Sequence, residues 1–266
     1  MKWLTMLACA MAVSPIAASA QSQCSAQSGA QRAALIELYT SEGCSSCPPA
    51  DRWLAGVAAK ADPGQLSLLA FHVDYWDEIG WPDRFAQAAY SQRQRERVQA
   101  GGSNTVYTPQ VMLGSRLDLR WYKPAQVAEA IAAVQVQPAP LQIALKARRT
   151  TTGLHVDVAA MPRGKAAPQA NLYLALYEDG LSTAVKAGEN ANTLLHHERV
   201  VRGLWGPWPM TASGLHHVLE IQPPPGAITA HLGLTAFVQA SSDGENLQAL
   251  SLPLTHCMLP ANTSAP

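Results

Sequence analysis

Residues 35–49 read LIELYTSEGCSSCPP, an apolar strand pattern that runs into a Cys-x-x-Cys pair and then into the proline-led start of a helix. Two cysteines three positions apart in a first helical turn lie on one face and are close enough to form a disulfide. The unpaired N–H groups and the positive dipole end of a helix N-terminus favour a thiolate at the leading cysteine. The spacing therefore predicts Cys44 as a nucleophile and Cys47 as the cysteine that resolves a mixed disulfide.

The first twenty residues have the pattern of a secretory signal peptide. Lys2 precedes an apolar run over residues 3–13, and Ala-Ser-Ala at 18–20 fits a cleavage site. A lipoprotein signal ending at Cys9 is the alternative, although its apolar segment is short for that purpose. No later stretch approaches the ~20 apolar residues of a membrane span. We therefore expect an exported protein, periplasmic or secreted, without a membrane span.

The cysteine count supports an oxidising location. Removal of residues 1–20 leaves four cysteines, an even number that suits an exported protein. If Cys44 pairs with Cys47, Cys24 and Cys257 are left to join the two ends of the mature chain. Such a structural disulfide closes a very long loop and contributes on the order of 4 kcal/mol if it is unstrained.

Charge and short motifs narrow the function classes. Nineteen acidic and nineteen basic residues balance each other, and neither half carries a basic run that would indicate nucleic acid as a partner. The chain has no nucleophile elbow, no phosphate-cradling glycine loop and no zinc-protease motif. We therefore expect no cofactor, and charge leaves the partner class open.

The hydrophobic pattern changes near residue 138. The elements predicted before this point are strand 34–39, a helix from 46 to about 62, strand 66–76, helix 84–98, strands 111–113 and 117–120, and helix 124–136. The strands predicted after it are 141–148, 154–160, 171–177, 194–202, 215–221, 229–240 and 247–254. Short alternating strands bounded by Gly, Pro and Asn are typical of a β-sandwich. The arginines of helix 84–98 are interpreted as a solvated face.

These patterns predict an α/β domain followed by an all-β, sandwich-like domain. The expected divisions are a signal peptide at 1–20, a flexible leader at 21–33, the α/β domain at 34–137, the β-sandwich-like domain at 138–258 and a disordered tail at 259–266. The adjacent pairs His196-His197 and His216-His217 are interpreted as structural, because neighbouring strand residues point to opposite faces.

The order of elements over residues 34–136 resembles the thioredoxin fold. Four segments resemble an exported family called domain of unknown function 1223. They are LYTSEGCSSCPPAD at 38–51, HVDYWD at 72–77, YTPQ at 107–110 and GEN at 188–190. Since a proline that leads into a strand favours a cis bond or a bare edge, Pro109 matches the cis-proline that thioredoxin-like proteins place against their cysteines. The resemblance implies that Thr108 and Pro109 orient a partner, and that a buried carboxylate lies beneath the cysteines, with Glu37 as the candidate.

Three functions remain open for Cys44 and Cys47. The favoured one is a thiol–disulfide oxidoreductase whose partner is a protein or a small-molecule thiol or disulfide. The second is a binding protein with a permanently closed disulfide, which holds its ligand on the aromatic loop 75–81 or on the β-sandwich-like domain. The third is a copper site formed by the two cysteines with His72.

Overall fold

The computed structural model describes residues 23–164 and 169–258, which form thirteen strands and three helices. The strands are β1 (Gln23–Gln27), β2 (Ala34–Thr40), β3 (Leu66–His72), β4 (Gln110–Leu113), β5 (Leu141–Arg149), β6 (Leu154–Pro162), β7 (Ala170–Glu178), β8 (Leu181–Ala184), β9 (Leu194–His197), β10 (Val200–Pro209), β11 (Leu215–Ile221), β12 (Leu232–Ala240) and β13 (Asn246–Pro253). The helices are α1 (Pro48–Ala58), α2 (Ala88–Ala100) and α3 (Pro124–Gln135). The predicted signal peptide at 1–20 and tail at 259–266 lie outside the described residues.

The main sheet has seven strands in the order β13-β12-β7-β10-β3-β2-β4. β2 and β3 are nearly continuous apolar runs that pair in parallel, as expected for strands covered on both faces. β10 joins β3 in parallel at one pair, Val200 opposite Ala70. β4 runs antiparallel along the other edge of β2. A second sheet has the order β1-β5-β6-β11, and β8 and β9 form a separate two-stranded sheet.

The predicted fold class, a thioredoxin-like α/β domain followed by a separate β domain, is wrong. The main sheet combines strands from both sides of residue 138, and the described chain is mostly β-sheet. The hydrophobic pattern identified most of the strands but not which strands pair with one another in the sheets. Strand order is set by pairings between residues far apart in sequence, which a local pattern does not contain.

Several local predictions also differ from the structure. Residues 117–120 are not a strand, and the predicted strand 194–202 divides into β9 and β10. Residues 23–27, within the predicted flexible leader, form β1 and pair with β5. Cys24 of β1 forms a disulfide with Cys257 across 233 residues, as the cysteine count predicts.

Alternate residues of β7 show how the main sheet is covered. Leu172 and Leu174 pack in an apolar cluster with the inner side of β5 and β6. Tyr173 faces the other way, toward the cluster that contains Tyr90 and Val98 of α2. Residues from α1 and α3 pack on the remaining part of the sheet, against β2, β3 and β4. Both faces of the sheet are therefore covered along most of its strands, whereas the end of β10 at residues 206–209 is largely exposed.

Candidate functional site

Cys44 and Cys47 form a disulfide between the end of β2 and the start of α1, with their Cα atoms 5.5 Å apart. Cys47 is the residue that precedes α1, and prolines occupy the first two helical positions. Both cysteines are 0% exposed, whereas Ser45 and Ser46 between them are exposed. The disulfide is therefore inaccessible to solvent, although the two residues between its cysteines are exposed.

The helix N-terminus offers Cys44 fewer backbone donors than its position predicts. Pro48 and Pro49 have no N–H group. The N–H groups of Ala50 and Asp51 both donate to the Cys47 carbonyl, at 2.9 and 3.1 Å. The first turn of α1 thus has its own donors satisfied within the helix, and a thiolate at Cys44 depends on groups outside that turn.

One of the two serines between the cysteines contacts the Cys44 sulfur. The Ser46 Oγ atom lies 3.3 Å from the Cys44 Sγ atom, within hydrogen-bond distance for sulfur. The Ser45 N–H group donates instead to the Glu189 carboxylate, at 2.9 Å. The Ser46 hydroxyl is therefore the donor placed to stabilise a Cys44 thiolate.

Replacing Ser46 by alanine is expected to slow alkylation of reduced Cys44 about fivefold at pH 7. The physical reason is the loss of one hydrogen bond to the charged sulfur, which contributes about 1 kcal/mol. The measurement is the iodoacetamide rate at Cys44 in the reduced protein, followed by mass spectrometry. Ser45→Ala is the control, because that hydroxyl is directed to Glu189. Equal rates in Ser46→Ala and wild type would show that the contact has no effect on the thiolate.

Two buried acid–histidine pairs lie next to the cysteine segment. His72 Nδ1 is 2.6 Å from Asp83 Oδ2, and both side chains are buried. His197 Nε2 of β9 is 3.2 Å from Glu42 Oε1, also fully enclosed. The two imidazole rings meet edge to face, with centroids 4.9 Å apart. The pairs thus form one cluster from residues that are distant in sequence.

The pairing favours the charged forms of His72, Asp83 and Glu42 in spite of their burial. Burial acts to lower the pKa of His72, but the Asp83 carboxylate outweighs it and raises that pKa above its usual value. Burial acts to raise the pKa of Asp83, and His72 reverses the effect so that the pKa falls. Burial also acts to raise the pKa of Glu42, but the neighbouring His197 ring and other polar groups outweigh it and lower that pKa.

Asp51 is the buried carboxyl group placed closest to the cysteines along α1. It follows Cys47 by four residues, one helical turn, and helical side chains tilt toward the N-terminus. Its Oδ1 atom accepts a hydrogen bond from the Thr40 hydroxyl at 2.9 Å. Burial raises the pKa of Asp51 even though His197 and His72 act to lower it. Asp51 is therefore able to hold a proton at a higher pH than an exposed aspartate.

Glu37, the predicted carboxylate beneath the cysteines, belongs to a different network. Arg93 of α2 donates to both of its oxygens at 2.9 Å, and Gln239 and the Tyr39 hydroxyl donate at 2.9 and 2.8 Å. The Arg97 Nε atom is 3.4 Å away. The interpretation of these arginines as a solvated face is wrong, because Arg93 and Arg97 are only 6% and 5% exposed.

The alternation of β2 explains why Glu37 faces away from α1. Ile36 and Leu38 pack in the cluster that contains α1 residues. Tyr39 packs in the opposite cluster with α2. Glu37 shares the face of Tyr39, so its carboxylate lies on the α2 side of the sheet.

Thr108 and Pro109 lie at the sheet edge where the cysteine segment begins. The Thr108–Pro109 bond is cis, as the sequence predicts, and β4 starts at the next residue beside the end of β2. Trp76 Nε1 donates to Thr108 Oγ1 at 2.8 Å. A Cβ atom on Gly43 would lie 3.1 Å from the Trp76 Cβ atom. Trp76 therefore connects the cis-proline segment to the residue that precedes Cys44.

The loop between β8 and β9 covers the cysteine segment from the other side. The buried Asn190 amide donates to the carbonyls of Glu42 and Cys44, at 2.8 and 3.0 Å. Gly188 has a φ of 73°, and a Cβ atom there would lie 3.1 Å from the Trp81 Cβ atom. The sequence indicates GEN at 188–190 only through the family resemblance, because the contacts of this segment span more than 140 residues.

Among the described residues, His72 and the two cysteines do not form a metal-binding cluster. Its Nδ1 atom is occupied by Asp83, and the two cysteines are bonded to each other. Within residues 23–164 and 169–258, no three His, Cys, Asp or Glu side chains are placed to hold one metal ion. The geometry therefore gives no support to the copper alternative.

The fold and the site together define a mixed-sheet protein with a buried Cys-x-x-Cys disulfide at a strand–helix junction, a cis-proline at the edge of the same sheet and buried acid–histidine pairs next to the cysteine segment. The family described as "Protein of unknown function (DUF1223)" matches residues 35–239, more than half of the chain, and the chain belongs to this family. No curated protein matches this chain significantly.

Two solved structures share the overall fold. Protein AGR_C_4864 from Agrobacterium tumefaciens is 25% identical, with a TM-score of 0.61 over 89% of this chain and 99% of that chain. HBP35 of Porphyromonas gingivalis is 12% identical, with a TM-score of 0.65 over 90% of this chain and 81% of that chain. Across the part of the chain that the structure describes, no helix has the length and apolar character needed to cross a membrane.

Proposed function

We propose that this protein is an exported thiol–disulfide oxidoreductase in which Cys44 and Cys47 cycle between disulfide and dithiol. The observation that carries the proposal is the Cys44–Cys47 disulfide itself, held at a strand–helix junction with the buried Asp51 carboxyl group one turn away. The second disulfide, Cys24–Cys257, supports an oxidising compartment, as does the signal peptide predicted at 1–20.

The reaction from the reduced form follows from the order of the groups. The Cys44 thiolate attacks one sulfur of a partner disulfide, forming a mixed disulfide and releasing the other sulfur as a thiolate. Cys47 then loses its proton to the Asp51 carboxylate and attacks the Cys44 sulfur, which restores the Cys44–Cys47 disulfide and releases the second partner thiolate. The partner gains two electrons and the protein loses two. Thr108 and Pro109 would orient the partner at the edge of the sheet.

Replacing Asp51 by asparagine is expected to stabilise the protein at pH 7 while slowing the resolving step. Burial raises the pKa of Asp51 in the folded protein. Folding stability therefore falls as the pH rises above the ordinary carboxyl pKa, because the buried group must then ionise. An asparagine side chain does not ionise, so the variant does not lose this stability. We expect a gain on the order of 1 kcal/mol in the free energy of unfolding by urea. The gain should vanish near pH 3, where the carboxyl group is protonated in both states. A variant less stable than wild type at pH 7 would contradict the assignment.

The proposal is tested by the reduction of insulin disulfides with dithiothreitol as electron donor. The protein should accelerate precipitation of the insulin B chain well above the uncatalysed rate. The control is the same protein after reduction and alkylation of Cys44, which should not accelerate it. An untreated protein that matches this control, although its Cys44 becomes reduced, would refute the proposal.

A second candidate function is a binding protein with a permanently closed disulfide. The observation that favours it is the complete burial of both cysteines beneath Asn190. This candidate predicts that dithiothreitol opens the Cys44–Cys47 bond only when the protein unfolds. Reduction at a rate that is independent of low urea concentrations would instead favour the oxidoreductase.

A further inference from the structure

The Glu189 carboxylate is fixed beside the predicted nucleophile. It is exposed on the β8–β9 loop and accepts the Ser45 N–H group at 2.9 Å, so it contacts the residue that follows Cys44. Hydrogen bonds from the Ser45 side chain and backbone lower the pKa of Glu189, which keeps the group anionic at neutral pH. The neighbouring Asn190 is only 9% exposed and anchors the loop to the Glu42 and Cys44 carbonyls. The negative charge is therefore held in place at the rim of the disulfide.

A fixed negative charge at this position acts on the charged groups of any disulfide that approaches Cys44. The charged groups of a small disulfide that reaches Cys44 come within about one Debye length of Glu189, ~10 Å at 0.1 M salt. At a protein surface, with screening by salt over such a distance, the encounter changes the rate about twofold per charge on the partner. Glu189 does not need to touch the partner to have this effect.

We propose that Glu189 is a specificity-determining residue that selects cationic or neutral disulfide partners over anionic ones. The inference rests on the proposed function and names the substrate class of the same site. The reacting step is attack by Cys44 on the partner disulfide with departure of one partner thiolate, as described above. A partner with positive charge near its disulfide is attracted by Glu189, whereas a partner with carboxylates there is repelled.

The test uses three small disulfides that differ mainly in charge. Cystamine carries two ammonium groups, 2-hydroxyethyl disulfide is neutral, and 3,3′-dithiodipropionate carries two carboxylates. The measured quantity is the second-order rate at which each oxidises the reduced protein at low salt. Wild type should react fastest with cystamine and slowest with the dicarboxylate. Glu189→Gln should reduce that rate ratio about tenfold, and high salt should reduce it in wild type.

The matched control is Glu129→Gln, which removes the same charge from the exposed side of α3 and should keep the wild-type ratio. A Glu189→Gln ratio equal to wild type, with exchange still rapid, would overturn the role of Glu189 alone. If the reduced wild type reacts with none of the three disulfides, the proposed function fails and the inference fails with it. The neutral disulfide reports any change in the intrinsic reactivity of Cys44.

Discussion

Replacing Cys44 by serine is expected to abolish thiol–disulfide exchange, with a loss of more than about a thousandfold. The change removes the atom that attacks the partner, and serine is a poor nucleophile at its ordinary pKa. Because serine has nearly the same volume as cysteine, the buried site should still fold. Insulin reduction measures the activity, and the circular dichroism spectrum checks the fold.

The Cys47→Ser variant gives the complementary result. Cys44 can still attack, but no second thiol resolves the product, so a mixed disulfide with the partner should accumulate and be visible by mass spectrometry. Full activity in Cys44→Ser would contradict the assignment of the nucleophile. A trapped partner on Cys47 in the Cys44→Ser variant, but none on Cys44 in Cys47→Ser, would reverse the two roles.

Replacing Arg93 by alanine is expected to destabilise the protein by about 3–5 kcal/mol. The change leaves Glu37, which is 1% exposed, without its bidentate partner. Burial acts to raise the pKa of Glu37, but Arg93 and Arg97 outweigh it and hold that pKa below its usual value. The stability from this carboxylate is therefore present above the ordinary carboxyl pKa and is lost as pH falls through the lowered value.

Urea unfolding at pH 7 and at acid pH measures this effect. The difference between wild type and Arg93→Ala should narrow as the pH falls. The control is Arg95→Ala on the same helix, since Arg95 is exposed and pairs with Gln92, and its loss should change stability by no more than about 0.5 kcal/mol. Equal effects of the two variants would show that the buried network does not hold α2 on the sheet.

The sequence predicted the parts of the site that depend on local chemistry. The apolar runs of β2 and β3, the cysteine spacing and the proline at the start of β4 each have a short-range physical cause. The Cys24–Cys257 pairing followed from counting. These features can be predicted without information about long-range contacts.

The remaining parts depend on contacts that the sequence does not contain. β10 pairs with β3 through Val200 and Ala70, which are 130 positions apart, and no local pattern indicates that pairing. Alternation showed that His196 and His197 face opposite ways, but not that the face of His197 is closed by Glu42. A run of arginines likewise indicates polarity without indicating a partner such as Glu37.

The same limit explains why the sequence indicates Glu37, and not Asp51, as the buried carboxylate near the cysteines. The resemblance to thioredoxin makes Glu37 the candidate, yet strand alternation turns its carboxylate toward α2. Asp51 is an acidic residue in the first turn of a helix, and it is buried against Thr40 of β2, a contact that the helix pattern alone does not indicate. Sequence position alone does not distinguish a capping carboxylate from a buried one.

The reduction potential of the Cys44–Cys47 disulfide tests the central claim most directly. The protein is equilibrated in dithiothreitol and glutathione buffers, its thiols are trapped, and the fraction reduced at each cysteine is measured by mass spectrometry. The proposed oxidoreductase predicts a potential above about −300 mV for Cys44–Cys47, with Cys24–Cys257 remaining oxidised over the same range. A Cys44–Cys47 potential below that value, or reduction only on unfolding, would contradict the account and identify the bond as structural.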